Sequence, residues 1–215
     1  MWNLIVKDLK LMRSTLFFYL VLVAAFPLLF GRTEQGAVVV GTWSFLLPYM
    51  VVGRLCYQEE LNRGLAFLRS LPLRPAAIVW SKFLGMLLLL GIFLLALIAA
   101  AVLGGVRVSL PPEMNISPAG LLLFPLGFAL VLSGVMMLAF FLWDYRRASY
   151  VYFLLLLGLL PVAFPAQVLP VVKAAVESLA RSPQLYLGGF ALAALALYLF
   201  LGYLSALALG RRDIG

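Results

Sequence analysis

Long apolar stretches separated by short charged segments dominate this chain and restrict what it can fold into. Charged residues make up only 11% of the 215 residues, whereas soluble domains carry about 25%. A helix needs about 20 apolar residues to cross a bilayer. The chain is therefore predicted to be an all-α membrane protein, one transmembrane domain over residues 1–215 with six spans. The spans are predicted, to within about three residues, at Thr15–Phe30, Ala37–Tyr57, Ala76–Leu103, Ala119–Trp143, Tyr150–Val171 and Leu185–Leu209.

The distribution of lysine and arginine predicts the orientation of these spans. If the N-terminus is inside, only four of the 16 basic residues lie outside, namely Arg32, Arg107, Lys173 and Arg181. Cytoplasmic loops are enriched in lysine and arginine, so both termini are predicted to be cytoplasmic. The net charge of +8 is explained by this bias, and no nucleic-acid partner is expected.

Three segments outside the spans have helical patterns. Met1–Ser14 carries Trp2, Ile5, Leu9 and Met12 on one face and is predicted to be an interfacial helix. Residues 172–183, between the fifth and sixth spans, are predicted to form an outer helical hairpin, because Lys173, Glu177 and Arg181 recur at intervals of four.

The third segment, Glu59–Leu71, is predicted to be a short cytoplasmic helix. Leu61, Leu65 and Leu68 recur at helical spacing and form an apolar stripe. Glu59 and Arg63 are four residues apart, the spacing of a helix-supporting ion pair, and acids suit the first turn of a helix. Pro72 ends the segment. From the residues alone, this helix could either lie on the lipid surface or dock a soluble partner.

The sequence lacks the usual elements of catalysis. It contains no histidine, the commonest general base near neutral pH, and no GxxxxGK[ST] phosphate-binding loop. No enzymatic activity, metal or cofactor is therefore expected in this chain. The spans are expected to lack buried charges, which favours apolar or amphipathic cargo. Candidate residues along its path are Phe45, Met50, Met136 and Met137.

The string EELNRGLAFLRSLPLRPAAIVWSKF at Glu59–Phe83 resembles the coupling-helix region of ABC-2 type transporter permeases. The matching positions are Glu59, Glu60, Gly64, Leu68, Pro72, Leu73, Ile78 and Lys82. The Lys7–Asp8–Leu9 triplet before the first span is similar to the N-terminus of small bacterial members. This sequence departs from the family at Phe67, where a second acid is common, and at Pro75.

This resemblance implies a half-transporter in a bacterial cytoplasmic membrane. Two copies of the chain, or one copy and a sister permease, would form the path, and a homodimer is favoured. Two separate ATPase subunits would bind ATP and magnesium. The residues expected to couple to them are Glu59, Glu60, Arg63, Gly64, Leu68, Pro72, Arg74 and Lys82.

Small permeases of this kind resemble exporters of amphipathic or antimicrobial peptides, including the phenol-soluble modulin exporters. The alternative is a membrane scaffold or assembly protein that transports nothing. In that case residues 59–71 would merely lie on the lipid surface. Copurification of a soluble ATPase would separate the two functions.

Overall fold

The computed structural model describes residues 2–30, 33, 50–105, 118–163 and 183–211, and the elements in these ranges are all helices. The second helix, α2, is described over residues 50–61. The others are α1 (Trp2–Phe30), α3 (Gly64–Ser70), α4 (Pro75–Leu103), α5 (Pro118–Leu142), α6 (Tyr145–Ala163) and α7 (Pro183–Arg211). The candidate path residue Phe45 and the predicted outer hairpin at 172–183 lie outside the described residues.

Three of the described helices are long and apolar enough to cross a membrane. They are α1, α4 and the part of α7 from Tyr186 to Arg211. The second and fifth predicted spans are only partly described, over residues 50–57 and 150–163. The six-span arrangement and its orientation therefore stay predictions at this point.

The N-terminal segment does not form a separate interfacial helix, because α1 runs without a break from Trp2 to Phe30. No proline or glycine lies near residue 14 to interrupt the backbone hydrogen bonds. Ile5, Met12 and Val23 lie on the buried side of this one helix. Trp2 is 63% exposed and lies off that side.

Contacts between helices fix their relative directions. Ile5 of α1 lies near Gly85 of α4, and a side chain at Gly104 would overlap the carbonyl of Pro27, so α1 and α4 run in the same direction. The hydroxyl of Tyr198 in α7 donates a hydrogen bond to the carbonyl oxygen of Phe83 at 2.8 Å. This buried bond joins α7 to the beginning of α4.

The helices α5 and α7 also run in the same direction and pack closely through two glycines of α5. A Cβ at Gly127 would lie 2.7 Å from Phe190 Cε1, and one at Gly134 would lie 2.9 Å from Leu201 Cδ1. Seven residues make almost two helical turns, so both glycines face α7. A larger side chain at either glycine would require Phe190 or Leu201 to move.

The segment between α2 and α4 differs from the predicted continuous helix over 59–71. Arg63 adopts a left-handed conformation with φ 49°, and α3 begins only at Gly64. The Asn62 side chain donates to the carbonyl oxygen of Gln58 at 2.9 Å, and such local bonds compete with helix continuation. Glu59 therefore lies in the last turn of α2, and the prediction of acids in a first helical turn was wrong.

The predicted leucine stripe of this segment is also divided. Leu68 is buried in the core, Leu65 is half-buried and Leu61 is exposed. The turn at Arg63 rotates α3 relative to α2, so residues before and after it no longer share a face. Only the α3 part of the stripe packs against the bundle.

Candidate functional site

A cluster of four charged side chains joins α1, α2 and α4 at one end of the bundle. Lys82 Nζ donates to Asp8 Oδ1 at 2.8 Å and also hydrogen-bonds Glu59 Oε1. Lys7 Nζ donates to the same Glu59 oxygen at 3.1 Å. Asp8, Glu59 and Lys82 are only 8%, 2% and 3% exposed. These four residues, Lys7, Asp8, Glu59 and Lys82, are called the ionic cluster below.

The charges of the ionic cluster balance, which makes its burial tolerable. A buried charge without a partner costs several kcal/mol, about what several hydrogen bonds contribute. Burial alone would raise the pKa of Glu59, which follows the second predicted span. Lys82 and Lys7 lower it by more, so the pKa of this carboxyl lies below its ordinary value.

Two sequence expectations are wrong at this cluster. Lys82 is a buried charge inside the third predicted span, whereas the spans were expected to hold none, and Asp8 is a second buried charge in the predicted N-terminal interfacial segment. Glu59 pairs with Lys82 and Lys7, and the predicted Glu59–Arg63 ion pair is not among the ion pairs of the described residues. Arg63 is exposed instead, because its left-handed backbone takes it out of the helical register with Glu59.

Gly64 lies directly against the carboxylate of Glu59. A Cβ at Gly64 would overlap Glu59 Oε2 and lie 2.9 Å from Cδ. That Oε2 atom is buried and has no hydrogen-bond partner among the described residues. The start of α3 is thus positioned against the ionic cluster, and a side chain at Gly64 would displace the Glu59 carboxylate.

The outer side of α3 presents an apolar surface with basic residues at its edges. Phe67 is 62% exposed, whereas the next residue, Leu68, is buried in the core. The set called the α3 surface below consists of exposed residues in α3 and directly next to it: Arg63, Phe67, Leu71, Pro72, Leu73 and Arg74. Large exposed apolar patches mark binding sites for proteins or membranes.

Glu60 connects this region to α6. The backbone N–H of Tyr145, the first residue of α6, donates to Glu60 Oε2. A carboxylate is favourable at this position, since the N-terminus of a helix carries partial positive charge. The rings of Tyr57 and Tyr145 pack edge to face with centroids 5.5 Å apart. Glu60 therefore helps to position α6.

A cavity of about 330 Å³ lies between α1, α2, α5 and α6. It is lined by Tyr19, Met50, Gly53, Arg54, Tyr57, Met136, Tyr145 and Ser149. Two predicted path residues, Met50 and Met136, thus face the same space. Met137 faces a smaller pocket next to Glu59 and Lys82. Within the described ranges, no three histidine, cysteine, aspartate or glutamate residues could hold a metal ion.

Sequence reasoning did not identify Asp8, Lys7 or Arg54 as site residues. One signal was available, because Lys82 stands alone among apolar residues of its predicted span. A lone charge in such a span requires a partner from another segment. Asp8, next to Lys7 and before the first predicted span, was one acid that could have been this partner. Only the fold brings it close to Lys82.

Comparison with known proteins identifies the family. The family described as ABC-2 family transporter protein matches residues 3–208, which is nearly the whole chain. No curated protein sequence and no solved structure matches the chain. The match confirms the resemblance carried by Glu59–Phe83 and agrees with the apolar helices, which make the chain a membrane protein. The chain therefore belongs to the ABC-2 transporter family, as a transmembrane permease that serves transport and not catalysis.

Proposed function

We propose that this chain is the membrane half of an ATP-driven exporter in a bacterial cytoplasmic membrane. Two copies would form the translocation path, and two separate ATPase subunits would bind ATP and magnesium and hydrolyse the ATP. The parallel pairs α1 with α4 and α5 with α7 support six spans, because the chain must return across the bundle between the members of each pair. The proposed cargo is an amphipathic peptide or a similar compound.

The observation that carries this proposal is the connection between the α3 surface and the ionic cluster. Gly64 begins α3 and contacts Glu59, whose carboxylate is bonded to Lys82 and Lys7. A force applied to α3 would therefore reach α1, α2 and α4 together. The exposed α3 surface would be the contact for the ATPase.

A membrane scaffold remains the second candidate, since the exposed Phe67 could also rest in the lipid interface. The two functions differ in what α3 contacts. An exporter needs a protein partner on the α3 surface, whereas a scaffold with a lipid-bound α3 does not.

Replacing Phe67 with aspartate should remove the ATPase from the complex. Large aromatic side chains at the centre of an interface often contribute about 2 kcal/mol or more, so we expect about a 30-fold loss of affinity. The measurement is copurification of the ATPase with the tagged permease. Phe67→Leu keeps an apolar side chain and should retain most binding. Equal recovery of ATPase with Phe67→Asp would contradict docking at α3.

The proposed orientation can be tested with Arg63→Cys. The only native cysteine, Cys56, is 2% exposed, so the parent chain should react little with a membrane-impermeant maleimide. We expect Arg63→Cys to react in inside-out vesicles and not in intact cells. Thr33→Cys, exposed after the opposite end of α1, should show the reverse. Reaction of Arg63→Cys in intact cells would overturn the orientation and the docking proposal.

A further inference from the structure

The 330 Å³ cavity contains one cation without an acidic partner. Arg54 Nε is buried and has no hydrogen-bond partner among the described residues. Arg54 takes part in none of the ion pairs of the ionic cluster. A guanidinium in this position can bind an anion, because two of its N–H groups can donate to one phosphate or carboxylate.

Arg54 is held in position by an aromatic wall. Its Cζ atom lies 5.5 Å from the centroid of the Tyr57 ring, within the range of a cation–π contact. The Tyr57 ring in turn packs against Tyr145. Since Tyr57 is itself 39% exposed, the cavity reaches the surface of the bundle beside this wall.

The rest of the lining is suited to a molecule with both a polar and an apolar part. Tyr19 carries a hydroxyl group that can donate to an oxyanion. Met50 and Met136 offer flexible apolar contacts that adapt to a chain. The volume is within the usual range for small-molecule sites, about 300–1,000 Å³.

We propose that this cavity binds an anionic amphiphile. A phosphate or carboxylate headgroup would lie against Arg54, and the adjoining apolar chain would lie against Met50 and Met136. The ligand could be a two-chain bilayer phospholipid or a single-chain acidic amphiphile, and both have the same recognition chemistry. The proposal does not depend on the docking of an ATPase at α3.

The test uses the full chain, purified in an uncharged maltoside detergent. Titration calorimetry compares dioctanoyl phosphatidylglycerol, dioctanoyl phosphatidylcholine, dodecyl phosphate and inorganic phosphate. We expect at least one anionic amphiphile to bind about tenfold more tightly than phosphatidylcholine and inorganic phosphate, as a charged hydrogen bond permits. Tighter binding of phosphatidylglycerol would identify a lipid site, and tighter binding of dodecyl phosphate a single-chain site.

Two variants test whether this binding occurs in the cavity. Arg54→Gln should weaken binding of the preferred anionic ligand about tenfold and remove its advantage over phosphatidylcholine. Arg63→Gln changes an exposed residue and should leave the binding of both ligands unchanged. Gly53→Leu should weaken binding similarly by filling space, because nothing lies within 4 Å of a Cβ at Gly53. Gly91→Leu is the matched control and should leave binding unchanged, because Gly91 is an equally open site on the exposed side of α4.

Three results would overturn the proposal. They are equal binding of all four probes, inorganic phosphate binding as tightly as the amphiphiles, or normal binding by both cavity variants. Circular dichroism and size-exclusion chromatography check that each variant is folded. If Arg54→Gln does not fold, Gly53→Leu against Gly91→Leu still decides the question, because it leaves the guanidinium in place.

Discussion

Lys82→Met is expected to lower the free energy of unfolding by about 3–5 kcal/mol, the usual cost of removing one partner from a buried ion pair. Lys82 is the buried cation that contacts both buried acids, Asp8 and Glu59. Without it, two carboxylates would remain close together with only the half-exposed Lys7 as a counter-charge. Methionine has a similar length, so lost packing would contribute little to the change.

The measurement is unfolding by sodium dodecyl sulfate in maltoside micelles, followed by circular dichroism. Lys10→Met is the matched control, since Lys10 is exposed on the same helix as Asp8, and it should change stability by less than about 0.5 kcal/mol. Adding Asp8→Asn and Glu59→Gln to Lys82→Met should restore much of the loss, because no buried charge then lacks a partner. A stable Lys82→Met single variant would show that the ionic cluster does not hold the helices together.

Gly64→Ala is expected to reduce transport to background while ATPase binding is retained. The new Cβ would overlap Glu59 Oε2, and the carboxylate would have to move away from its position against Lys82. Overpacking of this kind costs about 1–3 kcal/mol. Under the proposed function, the same displacement separates α3 from the ionic cluster, so movement of the ATPase would no longer reach α1 and α4.

The measurement is ATP hydrolysis and cargo movement in proteoliposomes that contain permease and ATPase. Gly91→Ala is the control, because a Cβ there meets no atom within 4 Å and Gly91 does not line the cavity. It should keep transport and gain about 0.5–1 kcal/mol of stability, as alanine does over glycine inside a helix. Normal transport by Gly64→Ala would contradict the coupling role of this contact.

The parts of the fold that depend on local pattern could be predicted from the sequence. The predicted span Ala76–Leu103 differs from α4 by one residue, because Pro75 is a favourable first residue of a helix and Gly104 follows its end. The short helix before Pro72 was also predicted from a local pattern, the spacing of its leucines and the proline that follows it. Membership of the family was predictable because its motif lies in one continuous segment, Glu59–Phe83.

The parts that were wrong depend on contacts between distant segments. Asp8 and Lys82 are 74 residues apart, and no spacing rule relates them. The helical spacing of Glu59 and Arg63 predicted an ion pair. The backbone of Arg63 is left-handed and interrupts the helix, which the helix propensities of these residues do not indicate. Arg54 lies in the second predicted span, and the cavity that it lines is formed by four separate helices, which no local pattern relates.

The neutrality of the ionic cluster has a consequence for how the chain is made. Asp8 and Glu59 emerge from the ribosome before Lys82, so the first two spans must wait for the third before their acids gain their main partner. Until then, Lys7 is the one cation of the ionic cluster that is present to balance both carboxylates. A chain that stops short of α4 would therefore lack the main counter-charge of this cluster.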